Sequence, residues 1–186
     1  MATPLIRPFR DVSDHFILNL YRWSGTIPAA GVPRGTFVKI VSGWQSDQNL
    51  QDGGPVGGFN PQNPLAVSRR YTIPSQVASV ANSGDFVLGI TLYDVRELDE
   101  NQVPLIFNPS KQAQLQAVLS GQAVPVATKG VFLYSGLVGT GLAIEGTPAY
   151  VSGDRLCAQG GPNASIVGSF LGRTDSKGWT LFKLDI

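Results

Sequence analysis

The chain has 186 residues and a mass of 19.8 kDa, 42% of it hydrophobic and only 15% charged, which suits one domain with a real core and excludes a disordered chain. A net charge of +1 without any basic block excludes a surface built to neutralise nucleic-acid phosphates. A single cysteine, Cys157, excludes an intrachain disulfide, and no stretch approaches the ~20 apolar residues of a membrane-spanning helix.

The 22 glycines and 13 prolines sit between regular apolar runs, which reads as turn-rich β structure. Charge is well below the roughly one quarter of an average soluble protein. Charged groups are costly to desolvate and are depleted from interface cores, so part of this surface is expected to be covered by a partner. The N-terminal residues lack the apolar run of a signal peptide, so the expected setting is a cytoplasm, or a particle assembled there.

In chain order, Pro4 and Pro8 make Met1 to Arg10 an extended arm, with Ile6 and Phe9 as its apolar residues. The arm lies either on its own domain or on a neighbouring subunit. Val12, Phe16, Ile17, Leu20 and Tyr21 have helical spacing, and Ser13 is a candidate cap, so a short helix or helical turn is expected within Asp11 to Trp23, with a buried strand at Phe16-Ile-Leu18 as the alternative. Thr36 to Trp44 reads as a strand. Gln45 to Pro64 is the one long irregular loop, a contact loop or a plain insertion; neither Lys-Ser/Thr nor a helix start follows its glycines, so it is no phosphate cradle.

Leu65 to Ile73 alternates as a strand, and Ser75 to Ala81 reads as a helical turn or irregular bridge. Asp85 to Val95 reads as a strand with Phe86, Leu88, Ile90 and Leu92 on one face. After the acidic turn Arg96 to Asn101, Val103 to Phe107 reads as a short strand. Asn108-Pro109 resembles a helix start, and Gln112 to Leu119 reads as a short helix, or as a strand by the alternation of Ala113, Leu115 and Ala117. The stretch Gly121 to Gly136 reads as strand, tight break at Lys129-Gly130, strand. Further strands follow at Ala149 to Val151 and Ile166 to Leu171. The last runs from Trp179 to Leu184, beyond the turn at Asp175 to Gly178.

The fold expected is mainly β: a small barrel or sandwich of about seven to nine short strands, with an N-terminal arm and one or two short helices. Residues 1–34 form the arm and a helical or irregular segment. Residues 35–186 form a single barrel-like domain with the long loop 45–64. Gly89 and Gly168, inside strands, fit bends or bulges.

Catalytic patterns are missing from the sequence. His15 is the only histidine, so histidine dyads and clusters are excluded. Asp94, Glu97, Asp99 and Glu100 match no calcium-loop spacing and read as a solvated turn. Gly136-Leu-Val-Gly139-Thr-Gly141 does not have dinucleotide-fingerprint spacing. Cys157, between Leu156 and Ala158, reads as a packing residue. The expectation is a non-enzyme without cofactor or metal.

Five segments carry a resemblance: Gly35-Thr-Phe-Val-Lys-Ile40, Val87-Leu-Gly-Ile-Thr-Leu-Tyr-Asp94, Gly121-Gln-Ala-Val-Pro-Val-Ala-Thr-Lys-Gly-Val-Phe132, Ile166-Val-Gly-Ser-Phe-Leu-Gly172 and Gly178-Trp-Thr-Leu-Phe-Lys-Leu184. From Gly35 to the end, the loop Gln45 to Pro64 excepted, the chain is similar to the capsid decoration (cement) proteins of tailed bacteriophages; the N-terminal arm lies outside the resemblance. The resemblance implies a virion protein, assembled in the host cytoplasm, that binds the capsid exterior and clamps neighbouring major capsid subunits. It implies self-association, as a trimer or else a dimer, and no nucleic-acid or membrane partner. Ile6, Phe9, Arg10, Tyr21 and Trp23 are the candidate partner contacts, because arms add strands to sheets and aromatic residues dominate interface energy. Two alternatives stay open: another virion part, such as a head-fibre base, tail or baseplate barrel, and a carbohydrate-binding β module stacking sugars on Trp23, Trp44 or Trp179.

Overall fold

The computed structural model describes residues 5–43, 75–82, 84–139, 141–161 and 164–186. The long loop, Trp44 and the strand expected at Leu65 to Ile73 lie outside these residues. The described chain is mainly β, a sandwich of two six-stranded sheets and not a closed barrel.

The first sheet is built from β1 (Leu5–Pro8), β10 (Lys129–Ser135), β14 (Trp179–Asp185), β13 (Ile166–Phe170), β11 (Pro148–Ser152) and β12 (Arg155–Cys157), in that spatial order and antiparallel throughout. The second holds β2 (Ile17–Leu18), β9 (Val126–Ala127), β6 (Gly89–Thr91), β4 (Phe37–Ser42), β5 (Gln76–Ser79) and β3 (Arg22–Trp23). It curls strongly, so that Arg22 at one edge bridges Ala123, just ahead of β9. A parallel pair, β7 (Asp94–Val95) and β8 (Ala117–Val118), stands apart. Nine of these strands exceed two residues, within the number the sequence suggests.

Two cores result. Between the sheets, Ile6, Phe132, Tyr134, Phe170 and Phe182 meet Phe37, Ile90 and Ala127. On the far side of the second sheet, Val38, Val77, Val126 and Trp23 pack with Ile27, Val95 and Val118. β4 therefore buries successive residues, Phe37 and Val38, on opposite faces.

The stretch Gly121 to Gly136 joins the layers. β9 and β10 are not paired with each other, as strands around a tight turn would be. Thr128 alone separates them, and the chain steps there from the second sheet to the first. The break lies one residue before the expected Lys129-Gly130. Glycines permit two close approaches. A Cβ on Gly89 would lie 2.3 Å from the Ala127 carbonyl oxygen. One on Gly168 would collide with the Lys183 carbonyl, where the β11–β13 register shifts.

The Asp11 to Trp23 segment takes both forms its pattern allows, and three other local expectations give way. Within Asp11 to Trp23 only Asp14–Phe16 is helical, a single 3-10 turn; Ser13 precedes it but makes no side-chain cap, and Ile17 and Leu18 pair instead with β9. Ser75 to Ala81 contains β5, held between β4 and β3. In Asp85 to Val95 only β6 and β7 are paired, and Phe86 points outward because the Asp85 carboxylate accepts the Ala81 and Asn82 amides and turns the chain there. Leu105–Phe107 is a 3-10 turn, not a strand. The helix at Asn108 forms as expected: the Asn108 side chain accepts the Lys111 amide, and Pro109 opens α1 (Pro109–Leu115). α1 stops short of Leu119 because Gln116 turns left-handed at φ +50°.

Candidate functional site

The arm forms β1 and lies on its own chain's β10. Its alternation sends Ile6 inward opposite Tyr134, where it is 3% exposed. Gly35 makes the room: a Cβ there would sit 3.3 Å from both the amide nitrogen and the Cβ of Ile6. Pro8, opposite Phe132, has no amide hydrogen to offer at the edge. The Phe9 amide donates to the Val131 carbonyl (2.9 Å), extending the pairing one residue past the strand. On the outer face the Arg7 guanidinium stands 4.7 Å from the centroid of the Trp179 ring.

The register assembles an outward-facing stripe. Arg7, Leu133 and Leu181 form one cross-strand row; Phe9, Val131 and Lys183 form the next. Val131, Leu133, Leu181 and Trp179 are half-buried and Phe9 is 57% exposed, so the face is apolar in its middle. Its border is charged: Asp185 takes Lys129 at 2.9 Å and Lys183 at 3.4 Å, and the hydrogen bond from Lys129, then that from Lys183, holds its carboxyl below the ordinary range.

The five predicted contacts separate. Ile6 and Trp23 are core residues, not surface anchors: Ile6 by the alternation of β1, Trp23 because it pairs beside Val77 inside the second core. Tyr21 is half-buried against that core. Phe9 and Arg10 are exposed. The remaining stripe was readable as apolar residues at both parities of Trp179 to Leu184, a sign that both faces of that strand are covered. Leu142, Phe86 and Phe107 are the most exposed large hydrophobics described, between 75% and 83%, and no sequence signal set them apart from core.

The acidic turn is more than a solvated one. Asp99 is 3% exposed. It accepts the Lys111 ammonium at 2.5 Å and the amides of Asn101 and Val103 at 2.7 and 2.8 Å. These bonds, that of Lys111 foremost, hold its carboxyl low, and the hydrogen bonds to Asp99, then Glu100, raise the Lys111 ammonium. Asp94 accepts the Arg34 amide at 2.8 Å. Both carboxylates are thereby occupied in shaping loops. His15 is exposed, and Cys157 is buried with its thiol on the Gln159 carbonyl. Burial pushes the Tyr134 phenol up; its oxygen accepts the Leu156 amide at 3.4 Å. Among the described residues no group of three or more His, Cys, Asp or Glu is placed to hold a metal, and no helix is long and apolar enough to cross a membrane. Trp23 is buried and Trp179 lies beneath Arg7, so neither presents a free ring for a sugar. Comparison of the chain with protein-family models and with characterised proteins found no match in either.

Proposed function

We propose that this chain is a virion structural protein that binds the outer surface of a bacteriophage capsid and clamps neighbouring major capsid subunits, itself a homo-oligomer. The observation that carries the reading is the outer face of the first sheet, where the docked arm brings exposed Phe9 beside the half-buried stripe Val131, Leu133 and Leu181. A sheet face of this kind, apolar in the middle and charged at its border, has the composition of a protein-binding surface. A ligand that binds the assembled shell and not its dissociated subunits stabilises the shell by mass action. Many copies on one shell add avidity without demanding a tight single contact.

The test mixes the purified protein with expanded capsids lacking it and follows sedimentation and shell melting. Saturable co-sedimentation with a raised shell melting temperature is expected. Absence of binding to intact shells refutes the proposal and directs the search to tail components.

A further inference from the structure

We infer that the arm is an exchangeable strand, and that the slot it fills accepts the same arm from a second copy of this chain. The inference concerns self-association and stands whether or not the protein binds a shell. Three features of the arm support it. First, β1 belongs to the first sheet, while the next paired elements, β2 and β3, belong to the second. Residues 9–13 alone tie the arm to the rest of the fold. Within that tie Arg10, Asp11 and Val12 make no hydrogen bond or ion pair among the described residues; Arg10 and Asp11 are exposed, and Val12 packs at the margin of the first core. Second, the slot is cut to the arm's own sequence. Gly35 clears space for Ile6, the Trp179 ring receives Arg7, and the Val131 carbonyl receives the Phe9 amide. Third, Pro8 blunts the outer edge of β1, so a further strand cannot simply be added there. A neighbour's strand gains β10 only by replacing β1.

An element that closes a sheet edge through a tie held by no hydrogen bond makes the same contacts in cis and in trans, which is the basis of strand exchange between identical subunits. Five extended residues span roughly 17 Å, enough to reach an adjacent subunit. A second copy is the occupant that reproduces Ile6, Arg7 and Phe9 together.

The test uses opposed residues of β1 and β10. Arg7 and Leu133 face each other in register. Their pairing type places the α-carbons about 5.5 Å apart, within disulfide range. One preparation carries Arg7→Cys and another Leu133→Cys. They are mixed at high concentration and oxidised. Exchange predicts a covalent dimer of one chain of each kind, in roughly tenfold excess over either homodimer, because exchange raises the local thiol concentration. The double variant on one chain serves as control and is expected to form the bond within the chain when dilute. If the double variant closes on itself while the mixture yields no excess of the mixed dimer, the inference is overturned. The Arg7→Lys variant with wild-type β10, followed by size-exclusion chromatography, checks that the oligomer survives loss of the planar contact to Trp179. A monomer of this variant that keeps Phe9 amide protection also counts against exchange.

Discussion

Ile6→Ala tests whether the arm is held as described. Ile6 is buried at 3% exposure against Gly35 and opposite Tyr134. Withdrawing a buried isoleucine side chain from water is worth about 1.5–3 kcal/mol, and core isoleucine-to-alanine changes cost about 2–5 kcal/mol when a cavity remains. β1 is an edge strand and can leave instead of spanning a cavity, so the lower range applies, about 2–3 kcal/mol. The loss should also be local. Hydrogen exchange should show the Phe9 amide, bonded to Val131, opening well below global unfolding, while amides of β13 and β14 keep their protection. Tryptophan fluorescence should shift in the same step, because Arg7 leaves the Trp179 ring. Unchanged protection at Phe9 together with an unchanged melting temperature would refute the account of the arm. So would loss of the whole fold with no separable opening of β1.

Other outcomes follow from the same geometry. Gly168→Ala, at φ +154° with the Lys183 carbonyl in the way of any Cβ, should cost about 3 kcal/mol or more and lower the midpoint of urea unfolding. Phe9→Ser and Arg10→Glu change exposed residues and should leave stability within about 0.5 kcal/mol, while weakening co-sedimentation with shells. Asp85, Asp99 and Asp185 have carboxyls held low by Lys39, Lys111 and Lys129 respectively. A folded value below the unfolded one means stability that is present above about pH 4 and lost as pH falls through the folded values. An acid titration followed by circular dichroism should therefore show a fall in stability below that pH, and Asp99→Asn should reduce it. No change in the acid limb for Asp99→Asn would show that the Lys111 pair contributes nothing there.

How much of this was legible in the chain differs between elements, for physical reasons. Strands whose alternation and flanking turns are both local could be read directly: Pro148–Ser152, Ile166–Phe170 and Trp179–Asp185 sit where the pattern puts them. So does α1, whose start is encoded by Asn108 and Pro109 alone. Segments that depend on a distant partner were misread. Gln76–Ser79 has no strong pattern and becomes a strand because β4 and β3 flank it. Val103 to Phe107 looks extended, yet Asp99 takes the Val103 amide and the Glu97 carbonyl takes that of Leu105, tightening it into a 3-10 turn. Of the candidate contacts, Phe9 and Arg10 are exposed, as residues of an extended arm can be. For Ile6 and Trp23 the pattern left core and interface open, because aromatic and branched residues serve both equally well; the structure places them in the core.

The sequence by itself determined the class of the fold: a weakly charged, glycine-punctuated chain with short alternating runs forms β layers, because only paired strands satisfy its backbone while burying those runs. It also determined the extended form of the arm's described part, Leu5–Pro8, where Pro8 fixes its own φ. Tertiary structure alone decided that Thr128 carries the chain between two sheets and that the second sheet is covered on both faces. It alone decided which side of β1 faces inward, and so which arm residue anchors and which is exposed. Side-chain alternation supplies two faces, but only the register against β10 says which of them meets the core.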